Sequence, residues 1–289
     1  MDLIPQLSYA DYFDRPFKRR AVRLIERISG QPELQRVYET YRRERPDQPF
    51  FKSAVELLDL SVSFDADRLN AIPEHGPLVV VANHPFGVLD GVVISYLMSL
   101  RRNDFKVLTN SVLDGAPEVS NWLLPIDFAN TPEARRVNLA TRAECMTRLK
   151  NGECIVIFPA GGISTSPTPF SRVAIDDIWK PFTASLISRT GASVTPIFFE
   201  GQNSRLFQLA SHMSLELRLA LIFREVKRRM GSTLPVSIGK TMSPEDLFAA
   251  GKRQALVNFL REQTYAMAPA HLRDRIQRAE RRQLSRRQS

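Results

Sequence analysis

The sequence predicts an α/β fold: a mainly parallel, mixed sheet flanked by helices, preceded by a helical N-terminal segment. Three observations lead there. Short β-rich runs stand at Leu78–Ala82, Phe105–Leu108, Cys154–Phe158, Ser193–Phe199 and Leu234–Ile238. Helical patterns fill several of the intervals between them, and strands alternating with helices build layers around a largely parallel sheet. Before about residue 70 the texture differs, and the periodicity is helical throughout.

Taken in order, Phe13–Gly30 sets Phe17, Ala21, Leu24, Ile25 and Ile28 at helical spacing, with Lys18, Arg19, Arg20, Arg23 and Arg27 largely off that stripe. Such a helix fits either an anionic lipid surface or its own domain with a solvated basic face. The punctuation at Gly30-Gln31-Pro32 and Pro46-Asp47-Gln48-Pro49 then marks off helices over Pro32–Arg45 and Pro49–Asp59. Further on, Thr131-Pro132-Glu133 supplies an N-cap, a proline at the first helical position and an acid in the first turn, and Lys150-Asn151-Gly152 supplies the stop. Trp179–Thr190 closes at Gly191 immediately before a strand. One last helix runs from Pro244 to about Met267. The expected organisation is a helical, membrane-surface segment over 1–70, an α/β domain over 71–268 and a basic tail over 269–289, read as a frayed, charged extension.

Composition bounds the function. The chain has 289 residues, 43% of them apolar, two cysteines and a net charge of +9. A chain of that size buries a core without staples, so disorder and disulfide scaffolds are excluded. The best apolar runs, Val92–Leu100 and Leu215–Phe223, are too short to span a bilayer, and the first residues lack a basic n-region and an apolar h-region. The expectation is a cytoplasmic protein, peripheral on the inner membrane. Seven arginines between 273 and 287 carry much of the positive charge, but no nucleic-acid-binding motif accompanies them, so no nucleic acid is expected as a partner.

Two places carry chemistry. In Val79-Val80-Val81-Ala82-Asn83-His84-Pro85-Phe86-Gly87-Val88-Leu89-Asp90-Gly91 a buried-looking strand ends in a histidine, with an acid about one turn later. Strand ends are where α/β sheets present reacting groups. If a helix starts near Gly87, Asp90 can fold back to accept from one imidazole nitrogen, leaving the other to take a proton from a hydroxyl. The bland alternative is a strand-capping histidine and an early-turn acid. His75, His212 and His271 have no comparable neighbourhood. In Ile155-Val156-Ile157-Phe158-Pro159-Ala160-Gly161-Gly162-Ile163-Ser164 a second strand runs into adjacent glycines and hydroxyls, a turn or an anion-holding backbone. There is no G-x-S-x-G elbow to supply a serine nucleophile.

Together, in this order and about 75 residues apart, the two motifs resemble the blocks of the lysophospholipid (PlsC-like) acyltransferase family. The Asn83-His84-Pro85-Phe86-Gly87 and Phe158-Pro159-Ala160-Gly161 forms, with Val194-Thr195-Pro196-Ile197-Phe198-Phe199-Glu200-Gly201-Gln202-Asn203-Ser204, are similar to the branch of lyso-ornithine-lipid and related aminolipid O-acyltransferases. The likeness runs from about residue 70 to about 240. It implies that His84 deprotonates the hydroxyl of a lyso-lipid, that Asp90 supports the imidazolium, and that the hydroxyl oxygen attacks an acyl thioester directly. The donor would be acyl carrier protein or coenzyme A carrying the acyl group, with no cofactor and no metal. The backbone near Gly161 and Gly162 is a candidate for the oxyanion donors. Two departures stand out. Five residues separate His84 from Asp90 where the family has four, and Ala160 stands where most members have Glu. The second reads as branch character or as a dead enzyme.

The substrate-binding candidates that follow are Asn83, Gly87, Phe158, Pro159, Gly161, Gly162 and Ser164. Arg135 and Arg136 correspond to the family's acceptor-binding block, or form a solvated helix face. Glu200 and Asn203 would meet an amine-bearing head group, or cap a loop. Trp179-Lys180 is a lid or helix-start packing. The expected function is O-acyl transfer to a lyso-aminolipid, with lysophosphatidic acid next, at an anionic membrane surface. The alternative from another class is a catalytically silent membrane- or partner-binding protein on the same fold.

Overall fold

The structure, a computed structural model, describes residues 8–10, 15–110, 117–127 and 131–288. A seven-stranded sheet organises it: β1 (Ser61–Ser63), β2 (Leu78–Ala82), β3 (Phe105–Asn110), β4 (Leu123–Ile126), β5 (Cys154–Ile157), β6 (Ser193–Phe199) and β7 (Thr233–Ile238), in the order β1-β7-β6-β2-β5-β3-β4. Every neighbouring pair is parallel except β6 and β7, which makes the sheet mixed. The α/β expectation is met.

β2 lies at the centre because its sequence permits nothing else. All five residues are fully buried, as a strand covered on both faces requires. Successive side chains leave on opposite faces. Leu78, Val80 and Ala82 join the core that contains Tyr38, Tyr41, Phe51 and Phe105. Val79 and Val81 join the core on the other side with Leu149, Trp179 and Leu260. From β2 the chain crosses to β3 on one flank, and from β5 it crosses to β6 on the other. Diverging connections open a crevice at the carboxyl ends of β2 and β5.

The helices follow their sequence signals closely. Pro16–Ser29, Gln31–Glu44 and Phe50–Leu57 form in the N-terminal region; Phe13 and Asp14, expected at the start of the first, lie outside the described residues. Pro132–Lys150 carries the Thr131 cap, whose hydroxyl accepts from the Ala134 amide at 3.1 Å. Three expectations are corrected. The helix placed at Trp179–Thr190 begins at Phe182, because Trp179 Nε1 donates to Asp176 in an irregular segment and Pro181 is the N-cap. The last helix is two, Pro244–Ala249 and Gln254–Ala266, divided where Gly251 and Arg253 take positive φ (+109° and +52°). The basic tail is no frayed extension: Ala270–Gln288 is helical, and Ile276 and Ala279 are buried against Val173, Phe198 and Tyr265. β1 and β4 were not legible, being three and four residues long.

Candidate active site

The register of β2 and β5 brings the two motifs together. Val81 pairs with Ile157, so the loops that leave both strands emerge side by side, and the His84 ring stacks on Phe158 with centroids 4.1 Å apart and planes at 28°. Gly87 then turns the chain with φ +81° and ψ −120°, a conformation closed to L side chains, and helix Val88–Ser99 begins. Asp90 stands at its third position. Its Oδ2 accepts from the amides of Phe86 (2.8 Å) and Gly87 (2.9 Å), and the Asp90 amide donates to the Gly87 carbonyl at 3.0 Å. That cap aims the carboxylate back along the chain, where His84 Nδ1 lies 3.0 Å from Oδ2. The ring N–H is not aligned on that oxygen and makes no regular hydrogen bond, so the contact is electrostatic, of the kind that tightens when substrate is bound. Asp90 is fully buried while the His84 side chain keeps 17% of its surface. Burial pushes the Asp90 carboxyl above its ordinary range, opposed by His84 and the two amides.

A second carboxylate, which carries no motif of its own, fixes the other side of the histidine. Asp176 is fully buried, and its Oδ1 accepts from the His84 amide (3.1 Å) and the Ser164 hydroxyl (2.5 Å). Its Oδ2 accepts from Trp179 Nε1 at 2.8 Å. Its own amide donates to the Tyr265 hydroxyl, 2.8 Å away. The Ser164 amide donates to the His84 carbonyl at 2.8 Å. Asp176 thus ties the β2 loop to the β5 loop.

Before His84 lies a cavity of about 750 Å³, walled largely by apolar side chains. Gly87, Val88 and Val92 line it together with Tyr38, Tyr41 and Phe51 from the N-terminal helices. His84 lines it, and so do Gly87, Phe158, Pro159, Gly161 and Gly162 of the candidate substrate-binding positions. Other expected positions fall elsewhere. Asn83 spends its amide on β6, donating to the Phe199 carbonyl (2.9 Å) and accepting from the Phe199 amide (2.7 Å). Ser164 is the strut to Asp176 just described. Arg135 and Arg136 are exposed on helix Pro132–Lys150, outside the cavity, and Arg136 pairs with Glu133 at 3.3 Å. Glu200 faces His271 at 4.0 Å, and Asn203 is buried beside β6 without reaching the cavity. Gly161 turns with φ +72° and donates its amide to the Phe158 carbonyl at 3.0 Å, so that amide is committed to the turn. The cations that do line the cavity are Arg142, Lys180 and Arg218.

Neither cysteine offers a nucleophile. Cys145 and Cys154 are buried, and burial pushes both thiols up to about 12. Among the described residues the cavity presents a histidine with a buried acid behind it, an arrangement chemically able to take up a proton.

A family model described as Acyltransferase matches residues 9–271. The chain belongs to the acyltransferase family. The acyltransferase is 26% identical over 230 residues to a lyso-glycine lipid O-acyltransferase of Phocaeicola vulgatus, covering 77% of this chain and 78% of that one. It is 24% identical over 242 residues to a protein of the same name from Bacteroides thetaiotaomicron, covering 81% and 84%. Among solved structures, the 1-acyl-sn-glycerophosphate acyltransferase PlsC of Thermotoga maritima matches with a TM-score of 0.47 and 16% identity, over 88% of this chain and 82% of that one.

Proposed function

We propose that this acyltransferase moves a fatty acyl group from a thioester, acyl carrier protein or coenzyme A, to the hydroxyl of a lyso-lipid whose head is an amino acid. The observation that carries the reading is the His84–Asp90 pair at the wall of a large apolar cavity. The names of the two relatives favour a glycine-type acceptor over the ornithine type, with lysophosphatidic acid after both.

The chemistry follows from the atoms. With Nδ1 turned to Asp90, Nε2 is the nitrogen left to accept the proton of the acceptor hydroxyl. The oxygen attacks the thioester carbonyl, a tetrahedral oxyanion forms, the C–S bond breaks, and the departing thiolate recovers the proton from the imidazolium. Asp90 stabilises the cation during that interval. The oxyanion needs preorganised donors; with the Gly161 amide committed, the amide of Gly162 is the candidate in this loop. The cavity receives hydrocarbon.

The same reading puts the enzyme on a membrane surface. Among the described residues no helix is long and apolar enough to cross one. Helix Pro16–Ser29 instead turns Phe17 (81% exposed), Leu24 (63%) and Ile28 (80%) to solvent, with Arg20, Arg23 and Arg27 also exposed, a face suited to anionic lipid.

Mass spectrometry of purified protein with acyl thioesters and a panel of lyso-glycine lipid, lyso-ornithine lipid and lysophosphatidic acid tests the proposal. Wild type is expected to form a diacyl product and His84→Ala to form none while still binding vesicles. Vesicle binding with no product from any acceptor would replace this reading with that of a silent lipid-binding protein.

A further inference from the structure

The apolar cavity does not end at the histidine. Beyond Gly161, Gly162 and Ile163 lies a second, polar chamber of about 460 Å³, bounded by Thr165, Ser166 and His212. Gly161, Gly162, Ile163, Lys180 and Arg218 line both spaces. The two glycines add no side chain to this shared lining. A Cβ on Gly162 would stand 3.8 Å from Arg218 Nη2.

Arg218, on helix Leu215–Ala220, differs from the paired inward-facing arginines, and from Arg229, which donates to the Gln202 carbonyl and lies 4.4 Å over the Phe86 ring but lines neither space. Arg102 pairs with Asp104, Arg148 with Glu144 and Glu153, and Arg261 with Glu280. Among the described residues Arg218 has no carboxylate at ion-pair distance. Its side-chain partner is the Ile163 carbonyl, 2.6 Å from Nη2, and its guanidinium carbon lies 6.0 Å from the Phe207 ring centroid. Burial lowers its pKa with no acid raising it back. A guanidinium has five N–H donors in a planar fork suited to carboxylate and phosphate, and a desolvated cation without a counter-ion is costly. The chamber's carboxylate, Asp177, is exposed, as is Lys180.

We infer that the polar chamber seats the anionic head group of the acceptor, carboxylate or phosphate, and that Arg218 grips it. The anion then sits on the far side of the shared Gly161–Gly162 lining from His84, and the hydrocarbon of the same molecule lies in the apolar cavity. This rests on the lyso-lipid acyltransferase reading and adds a charge requirement on the acceptor, met by a side chain from outside both motif loops.

The test compares N-(3-hydroxypalmitoyl)glycine with its methyl ester, and lysophosphatidic acid as the phosphate arm, in wild type, R218M and R218K. Turnover is measured together with calorimetric binding of each acceptor. Wild type should favour an anionic acceptor over the neutral ester by about 10- to 100-fold in kcat/KM, R218M should bring that ratio close to 1, and R218K should fall between them. If R218M does not fold, R218K carries the comparison, because it keeps the charge and loses the fork. A ratio unchanged in both variants while product forms overturns the head-group assignment and leaves acyl transfer standing. Binding that favours the anion and needs Arg218, without product, overturns acyl transfer and leaves the assignment standing. An effect confined to the KM of acyl-CoA, absent with S-acyl-N-acetylcysteamine, assigns Arg218 to the donor's phosphate and overturns the inference, as does failure to bind any acceptor.

Discussion

Asp90→Asn separates what the buried acid does for catalysis from what it does for the fold. An imidazolium at His84 would lie 3.0 Å from Oδ2, and at an effective dielectric of about 20 that attraction is about 5.5 kcal/mol. The amide retains an oxygen for the Phe86 and Gly87 amides, so the cap survives while the charge is lost. Water reaching the partly exposed ring and the residual amide dipole return part of the loss. The net cost is about 3–5 kcal/mol in the transition state, or roughly 10²- to 10⁴-fold in kcat. Stability should move differently. Because burial raises the Asp90 carboxyl in the folded protein, the native state holds that proton to higher pH than the unfolded chain. Stability from this group is therefore full below the ordinary carboxyl range, declines as pH rises through the native value, and is flat above it. The Asn variant escapes that decline. Against this, its amide nitrogen falls at Oδ1, which has no hydrogen-bond partner, at a cost of about 1–3 kcal/mol. The melting temperature of wild type minus that of Asp90→Asn should thus be largest in acid and shrink towards neutrality. Thioester turnover at saturating acceptor, with melting curves from pH 3 to 8, makes the comparison. A loss of less than tenfold in kcat, or a difference in melting temperature that grows with pH, would refute the reasoning.

Gly87→Ala must force a residue into φ +81° and ψ −120° and bring a Cβ to 2.7 Å from Ile163 Cδ1. About 2–3 kcal/mol of stability should be lost in urea titration, with at least tenfold in kcat as the Asp90 cap shifts; an active variant of wild-type stability would contradict the role given to this turn. Replacing Phe17, Leu24 and Ile28 together by Glu should leave stability within about 0.5 kcal/mol per site, since all three are exposed. Co-sedimentation with anionic vesicles should fall more than tenfold in the same variant, and unaltered sedimentation would remove the helix from the membrane-facing role.

How much of this was legible depended on whether the information was local. β2 was readable to the residue because a strand buried on both faces is a continuous apolar run, β6 because the Gly191 helix stop stands just before it, and Pro132–Lys150 because its cap, Thr131, and its stop, Asn151-Gly152, adjoin it in sequence. β1 and β4 were not, since three or four residues carry no period and owe their conformation to pairing with β7 and β3. The break at Gly251 was hidden by apolar positions on both sides of it. In the site, the motif residues were legible as motifs, but their division of labour was not. Asn83 stands beside the histidine in sequence and Ser164 closes the second motif, yet both serve the scaffold, and Asp176 and Arg218 are joined to the site only by the third dimension.

The spacing between His84 and Asp90 shows where sequence and geometry meet. With one residue more than the family's interval, a regular helical start would carry the acid past the ring. Gly87 takes up the surplus in a single residue of positive φ, and only a residue without a Cβ fits there, because Ile163 from the β5 loop closes on that position. Ile163 is in turn held by Arg218 through its carbonyl. The extra residue, the glycine and the isoleucine are therefore one solution, spread over two motifs. Restoring the family's spacing by deleting Val88 or Leu89 should then disable this chain, since Asp90 would lose the turn that aims it while the pocket built around Gly87 remained.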